Sequence, residues 1–257
     1  MTARVTHRFI NDVFRGPVYG RHDIFTARSF ADFVRRNDVD LSRAIFSYDG
    51  RSPIGTIVFA QRGERAWLSL MGILPEYRRR GLGRTLFAGA VDAVRASGAK
   101  HIEFEVVQRN VAVQEMYKGF GFRAHGELLV WARKPRRAAM NGLVSRKHAT
   151  TDIRKVATAD AACWQREAIA IARTPSALIE VEGAYAFVRL RAESAYILDA
   201  AARDEESARA LLSVLDNRIP YDVTLFNEPA ESPLSVVLAT TQWRVVERQL
   251  RMTDATR

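Results

Sequence analysis

Apolar and polar residues alternate with a period of about two in three early segments, Arg43–Asp49, Pro53–Gln61 and Arg65–Ile73. This alternation, bounded by the turn sequences DGRSP and RGER, predicts three strands. Because turns this short join neighbours that run in opposite directions, we expect the three strands to be antiparallel. A helix is predicted before them over 26–37, TARSFADFVRRN, with Thr26 as a suitable N-cap.

A second group of elements follows Ile73 and mixes helices with strands. Apolar positions at Leu86, Val91 and Val94 predict a helix over 83–96 that ends at Gly98. A strand over 101–107, a short helix over 110–120 and a strand over 121–134 are predicted after it. The first half is therefore predicted to be an α/β (α+β) domain.

The same order of elements partly recurs in the second half of the chain. Helices are predicted over 160–172, 204–217 and 231–241, and strands over 177–183, 184–191, 195–201, 221–228 and 243–252. This recurrence indicates a duplicated domain. The least periodic stretch separates the halves, so we predict a first domain at 1–137, a basic linker at 138–151 and a second domain at 152–257.

The excess of positive over negative charge in the chain lies entirely in its first half. Residues 1–145 carry 24 Lys and Arg against 13 Asp and Glu, whereas residues 146–257 carry 15 against 16. This distribution suits an anionic ligand of the first domain. The single cysteine, Cys163, excludes an internal disulfide and a cysteine metal cluster, and the five histidines lack ligand spacing, so no metal is expected. The sequence has neither an apolar run of membrane-spanning length nor a signal peptide, which predicts a cytoplasmic protein without a membrane partner.

One turn combines this positive charge with glycine. The sequence ILPEYRRRGLGRTL leads from a predicted strand into a predicted helix, and Gly81 and Gly83 allow its backbone to turn sharply. The N–H groups that begin the helix would then converge on an anion such as a diphosphate. The pattern is neither a Walker loop nor a dinucleotide fingerprint, and a plain surface loop with a helix cap is the alternative.

Two motifs in this region resemble the GCN5-related N-acetyltransferase (GNAT) superfamily. Arg78, Gly81 and Gly83 fit its phosphate-binding pattern, and Asn110, Tyr117, Gly121 and Phe122 fit its downstream pattern of an asparagine that opens a short helix ending in Tyr-x-x-x-Gly-Phe. The resemblance covers roughly residues 43–134. It implies a GNAT fold, which is a mixed, largely antiparallel sheet flanked by helices, followed by a second, degenerate GNAT-like domain.

The resemblance also implies acetyl-CoA as co-substrate and assigns residues to it. Backbone N–H groups at the start of the helix would hold the diphosphate, the end of the preceding strand would pair with the pantetheine arm, and arginine side chains would meet the outer phosphates. The residues implied to bind acetyl-CoA are Met71, Ile73, Arg78, Arg79, Gly81, Leu82, Gly83, Arg84, Thr85 and Asn110.

For catalysis the resemblance implies Tyr117 as the general acid. The strand position at which many family members carry a glutamate base holds Ser69, so the base is less clear. Glu105 has the spacing of the base in protein Nα-acetyltransferases of the ribosomal-protein type. Alternatives are a base acting through water or no base, with His22 and Glu64 as further candidates. A glutamate pairing with an arginine is the structural alternative for Glu105.

The second half lacks the corresponding chemistry. Its predicted strand-to-helix turn has no glycine and carries Asp204, Glu205 and Glu206, which would repel a diphosphate. Asn227 is a candidate counterpart of Asn110, and if Trp243 corresponds to Phe122, Leu238 stands where the first half has Tyr117. We therefore expect this half neither to bind acetyl-CoA nor to catalyse.

These features predict an acetyl-CoA-dependent N-acetyltransferase that acts on a primary amine, of a small molecule or a peptide N-terminus, by direct attack in a ternary complex. The alternative is a non-catalytic acyl-CoA sensor, which would keep the glycine turn without needing Tyr117. A nucleic-acid partner is disfavoured because the arginine excess comes without a series of stacking aromatics or a recognised module. The acceptor amine stays open, and so does a homodimer.

Overall fold

A computed structural model describes residues 4–16, 20, 22–135 and 163–254. The chain forms two compact units, one of Met1–His125 together with Leu250–Arg257 and the other of Gly126–Gln249. The predicted linker, 138–151, and the domain boundaries on either side of it lie outside the described residues. Those boundaries stay a prediction.

The first unit opens with two helices. Helix α1, His7–Phe14, is capped by the Thr6 side chain, and α2, Ala27–Arg36, begins at a reciprocal cap in which Thr26 and Ser29 bond each other's backbone. The second helix was predicted. The first was missed because it buries only two apolar side chains, Ile10 and Val13, and presents a short apolar pattern.

The sheet of the first unit begins with the three antiparallel strands that the sequence predicts. They are β1 (Ile45–Asp49), β2 (Ser52–Arg62) and β3 (Arg65–Ile73). Helix α3 (Leu82–Ala96) leads from β3 to β4 (His101–Val107), which is parallel to β3, and α4 (Val111–Lys118) leads to β5, Phe122–Arg133. The mixed, largely antiparallel sheet with flanking helices is therefore confirmed.

The last strand of this unit comes from the end of the chain. In strand β10, Arg244–Asp254, the residues from Leu250 onward belong to the first unit and lie beside β4. The Ile102 N–H donates to Asp254 Oδ1 over 3.0 Å, and Arg251 pairs with Glu103 over 2.9 Å. A strand distant in sequence thus supports β4.

Two irregularities shape the middle of this sheet. The paired register of β2 and β3 shifts so that Val58 faces Leu70 and Phe59 faces Leu68, which makes Ser69 the extra residue of a β-bulge. The register of β3 and β4 runs from Arg65↔His101 to Trp67↔Glu103, although both strands continue well beyond these pairs. Beyond Trp67 and Glu103 the two strands no longer pair with each other, and their facing edges form the walls of a wedge-shaped opening.

The second unit repeats this order of elements. A short 3₁₀ turn (Trp164–Arg166) and α5 (Ala168–Ala172) precede β6 (Ala177–Val181), β7 (Ala184–Leu190), β8 (Ser194–Ala202), α6 (Glu205–Arg218), β9 (Asp222–Pro229) and α7 (Pro233–Leu238). Its strand order is β5-β9-β8-β7-β6, with β8 and β9 parallel. Buried aliphatic side chains of these strands and of α6 and α7 form its core.

The register shows that the two units are built alike. In the second unit the bulge falls at Leu198, because Phe187 pairs with Asp199 and Val188 with Ile197. Aligning this bulge with Ser69 places Ala200 at the position of Met71, and the parallel pairs of β8 and β9 place Phe226 at the position of Glu105. The duplication inferred from the sequence therefore extends to the bulge itself.

Candidate active site

The glycine turn forms the N-terminus of α3. Gly81 is the N-cap residue with φ +81°, and Arg79 also has a positive φ of 60°. No described side chain caps this helix, and its first turn contains no acidic residue. The N–H groups of Leu82, Gly83 and Arg84 therefore begin a helix whose positive end is free to meet an anion.

Thr85 differs from its predicted neighbours in this cradle. Its N–H already donates to the Gly81 carbonyl over 3.2 Å, as the first hydrogen bond of α3. Gly83 lies where the start of α3 approaches the end of β3. A Cβ added at Gly83 would lie 3.7 Å from Met71 Cε and 3.9 Å from Ile73 Cγ1. The start of α3 and the end of β3 are thus close together.

The arginines of the turn have different roles in the structure. Arg78 binds backbone carbonyls, donating to Ile73 over 2.9 Å, Val13 over 3.0 Å and Arg15 over 2.5 Å, so it ties α1 to the end of β3. Arg84 lies over the Phe120 ring at 4.8 Å. Arg79 is exposed at the turn.

A cavity of about 540 Å³ extends from this turn into the wedge between β3 and β4. Its volume lies within the usual range for a small-molecule site, about 300–1,000 Å³. Predicted residues that line it are Met71, Ile73, Arg78, Arg79, Gly81, Leu82, Gly83, Arg84, Glu105, Asn110 and Tyr117. The structure therefore brings together all of the residues predicted to bind acetyl-CoA or to catalyse except Thr85, while the further candidates His22 and Glu64 do not line the cavity. The sequence did not predict the contribution of α1, which supplies Val13 and Phe14 to the wall.

Tyr117 lies on α4, one wall of this cavity. Its ring is buried against Phe87 and Phe104, at centroid distances of 4.8 and 4.4 Å, and its hydroxyl lies 3.5 Å from Met71 Sδ. Asn110 is the N-cap residue of the same helix, where its side chain makes no capping bond. The aromatic packing holds the Tyr117 hydroxyl beside the end of β3.

Glu105 lies on β4 at the opposite wall. The Trp67 indole N–H donates to Glu105 Oε2 over 2.8 Å. Burial raises the pKa of Glu105 to about 7, despite this hydrogen bond and the positive charge of Arg251, which favour the carboxylate. A carboxyl with this pKa accepts a proton readily near neutral pH.

The arginine pairing considered for Glu105 belongs instead to its neighbour. Glu103 is buried and forms ion pairs with Arg65 and Arg251. The two carboxyls face the same side of β4, as the sequence indicated, but only Glu105 lines the cavity. Ser69 donates to the Val58 carbonyl over 2.8 Å within the bulge. Glu105 is therefore the carboxyl that remains as a candidate for the general base.

Trp67 and Ser69 both lie in β3, two positions apart. Simple alternation would place them on one face of the strand, but the bulge at Ser69 interrupts that alternation. Ser69 lines the cavity, while Trp67 is buried and reaches Glu105 through its indole. The local sequence around Trp67 and Ser69 gives no signal of such a bulge.

The second unit carries a buried ion cluster at the equivalent wedge. Arg166 donates to the carbonyls of Ala200 over 2.5 Å and Asn227 over 2.8 Å, and it pairs with Asp199 and Glu228, each over 2.7 Å. Although burial favours its neutral form, the two carboxylates raise the pKa of Arg166. Its guanidinium therefore joins the main chains of β8 and β9 where the first unit has open walls.

One sequence-based equivalence in the second unit is corrected by the structure. Asn227 lies in β9, and the N-cap of α7 is Ser232, so Ser232 is the counterpart of Asn110. Leu238 is buried at the end of α7, as Tyr117 is in α4, whereas the next residue, Ala239, is exposed. The second unit thus has neither a hydroxyl nor a carboxyl at the two positions considered for catalysis. The acidic residues at the start of α6 are present as expected.

Among the described residues, no group of histidine, cysteine and acidic side chains could hold a metal ion. Within the same part of the chain, none of the helices has the length and apolar character needed to cross a bilayer.

The sequence profile of the acetyltransferase (GNAT) family matches residues 8–122, the part of the chain that builds the cavity. This region of the chain is therefore similar to the GNAT family. Its GNAT region is 38% identical over 61 residues to a proposed ribosomal protein bS18-alanine N-acetyltransferase of Bacillus subtilis. That match spans 24% of this chain and 40% of the relative.

Solved structures show that the GNAT fold extends over both units. A proposed acetyltransferase of Pyrococcus horikoshii superposes with a TM-score of 0.66 at 18% identity, covering 99% of this chain and 89% of the other. A tandem GNAT protein from the clavulanic acid biosynthesis pathway gives a TM-score of 0.53 at 14% identity, with coverages of 88% and 87%. The GNAT domain with a second, degenerate GNAT-like unit is therefore confirmed as the architecture.

Proposed function

We propose that the first unit is an acetyl-CoA-dependent N-acetyltransferase acting on a primary amine. The observation that carries this proposal is the continuous cavity that runs from the uncapped N-terminus of α3 to Glu105 and Tyr117. The match of residues 8–122 to the GNAT family supports acyl transfer as the reaction class and acetyl-CoA as the donor.

The lining of the cavity fits acetyl-CoA in two respects. The first-turn amides of α3 offer donors to a diphosphate, at the positive end of the helix. Met71 and Ile73 lie in the part of β3 that does not pair with β4. The backbone N–H and C=O groups along this edge of β3 are therefore available to the amide-containing pantetheine arm. Asn110 lies along the same wall, and Arg79 and Arg84 would meet the outer phosphates from the rim.

Acetyl-CoA would supply the thioester carbonyl at which the amine nitrogen forms its new bond. Glu105 is the group that would take the proton from this nitrogen, because its raised pKa still permits the carboxylate at neutral pH. Tyr117 would give its hydroxyl proton to the departing sulfur. Positioning of the two reactants in the wedge is expected to lower the barrier more than either proton transfer, since it can contribute about 7–11 kcal/mol.

The acceptor is proposed only by class. The relative from Bacillus subtilis is described as acting on an alanine N-terminus, which makes a peptide amine one acceptor to test. Small-molecule amines are the other, because the cavity lining does not favour either. The non-catalytic sensor remains the rival function, since it would use the same cradle without the two proton-transfer groups.

Gly83 allows the cradle to be tested without damage to the fold. A Cβ at Gly83 would make ordinary contacts with Met71 and Ile73, so Gly83→Ala should fold normally while its methyl group fills the space beneath a diphosphate. Gly89→Ala is a matched control on the same helix, because its Cβ meets no atom within 4 Å. We expect Gly83→Ala to weaken coenzyme A binding at least about tenfold by calorimetry, a change equal to ~1.4 kcal/mol.

Binding and turnover separate the enzyme from the sensor. Thiol release from acetyl-CoA should be measured with polyamines, amino acids, aminoglycosides and short peptides, including one that begins with alanine. Tight coenzyme A binding without turnover on any acceptor would favour the sensor. Equal affinity in both glycine variants and the unchanged protein would refute the cradle.

A further inference from the structure

Trp67 and Glu105 meet where β3 and β4 separate. Trp67↔Glu103 is the last register pair of the two strands, and the Trp67 indole reaches one step further along β4 to donate to Glu105 Oε2 over 2.8 Å. Trp67 is 2% exposed, whereas Glu105 is partly open to the cavity. The indole therefore approaches the carboxyl from the protein side of the site.

The orientation of this indole is fixed by aromatic packing. Phe33 of α2 packs on Trp67 at a centroid distance of 5.9 Å and on Phe25 at 5.2 Å. The backbone of Phe25 is held in turn by the buried Asn11, whose amide donates to its carbonyl over 2.8 Å and accepts from its N–H over 3.0 Å. Rotation of the indole away from Glu105 would disrupt this packing.

The charged groups around Glu105 act in opposite directions. The carboxylate of Glu103 on the same strand disfavours a second negative charge, while Arg251 of β10 favours it. Arg65 of β3 is paired with Glu103, and Tyr117 of α4 faces the same cavity. Among the described side chains, Trp67 is the one that donates a hydrogen bond to Glu105.

The degenerate unit gives an internal comparison. The register places Tyr196 at the position of Trp67 and Phe226 at the position of Glu105, and these two rings stack at 6.0 Å with an interplanar angle of 16°. In each unit the side chains at these two positions therefore contact each other across the two neighbouring strands. The indole and the carboxyl are both missing in the unit that also lacks the tyrosine.

Building on the proposed acetyl transfer, we propose that Trp67 is a positioning residue for the proton acceptor. Its indole N–H holds Oε2 of Glu105 and leaves Oε1 to take the proton of the attacking amine. The same hydrogen bond stabilises the carboxylate in a site where burial disfavours it, and so keeps a share of the Glu105 side chains ionised at neutral pH.

The first test follows proton binding in the protein without any ligand. With carbon-13-labelled glutamate, the Glu105 carboxyl should titrate near pH 7 in the unchanged protein. Trp67→Phe removes the donor and retains an aromatic ring, and it should raise this midpoint by about one to two units. Should this variant fold poorly, Glu105→Gln supplies the same information, because the indole N–H resonance of Trp67 should then lose its pH dependence near 7.

The second test uses acetyl transfer. The acidic limb of kcat/KM should move upward in Trp67→Phe by the same amount as the carboxyl midpoint, with the KM for acetyl-CoA unchanged. Trp131→Phe is the matched control, since it removes an indole donor to Ser235 Oγ, 3.2 Å away in the second unit, and should leave both profiles in place.

The outcomes distinguish this proposal from the function on which it rests. An unmoved carboxyl midpoint in Trp67→Phe, or an indole resonance insensitive to Glu105→Gln, would overturn the positioning role. A shifted midpoint in a protein that acetylates no amine would overturn the proposed function while supporting Trp67 as the group that sets the ionisation of Glu105. Matching shifts of the midpoint and of the acidic limb would support both.

Discussion

Glu105→Gln tests whether the ionised carboxylate of Glu105, in its buried position, lowers the free energy of unfolding. The substitution removes the charge and keeps an oxygen that can accept the Trp67 indole bond. Burial raises the pKa of Glu105 in the folded protein to about 7, from the usual 4.5 of a glutamate. Between these two pH values the folded protein therefore holds a proton that the unfolded chain has lost. The unchanged protein should therefore lose stability as pH rises across this interval.

The size of the effect follows from the linkage between proton binding and folding. Stability changes by about 1.4 kcal/mol per pH unit while the two states differ by one bound proton. Over the interval from 4.5 to about 7 this amounts to at most ~3.5 kcal/mol. We expect Glu105→Gln to match the unchanged protein below pH 4.5 and to be more stable by up to that amount above pH 7.

Urea denaturation between pH 4 and pH 8 measures this difference directly, with a probe such as indole fluorescence recorded in both proteins. Glu115→Gln is the control, because its exposed carboxylate pairs with Lys118 on the surface of α4 and its loss should change stability by less than about 1 kcal/mol. A pH-independent difference between Glu105→Gln and the unchanged protein would refute the reasoning. The cavity would then have to be as well solvated as bulk surface.

Two further substitutions test other parts of the argument. Tyr117→Phe should lower kcat by about 10²–10⁴-fold and leave coenzyme A affinity unchanged, whereas Tyr77→Phe, at the rim of the same cavity, should leave kcat intact; full activity of Tyr117→Phe would remove this hydroxyl from the reaction. Arg166→Met leaves two buried carboxylates without their partner and should cost about 3–5 kcal/mol in denaturation. The surface control Arg209→Met should cost less than about 1 kcal/mol, and a similarly small loss for Arg166→Met would contradict its assigned role.

The strands, the main helices and the glycine turn of the first half were readable from the sequence because their causes are local. Alternation of apolar residues depends only on the pleat, and a positive φ at Gly81 depends only on the missing Cβ. The spacing of Asn110 and Tyr117 is fixed within one short helix. These features would persist in almost any packing of the chain.

The roles of Arg78, Trp67 and Glu105 were decided by contacts between residues far apart in sequence. Arg78 matched a phosphate-binding pattern, yet its guanidinium is committed to carbonyls on α1, a helix that the sequence did not predict. The environment of Glu105 depends on an indole from β3 and on Arg251 near the end of the chain.

The sequence by itself determined the order of the strands and the main helices, the excess of positive charge in the first half and the glycine turn that can receive an anion. Only the tertiary structure decided that β3 bulges at Ser69, that β3 and β4 diverge into a wedge, and that a strand from the chain terminus supports β4 beside Glu105. The local spacing of apolar residues indicates only which side of a helix or strand is apolar. The ionisation of a carboxyl depends on the solvent and charges that the whole fold places around it, and no short window of sequence contains them.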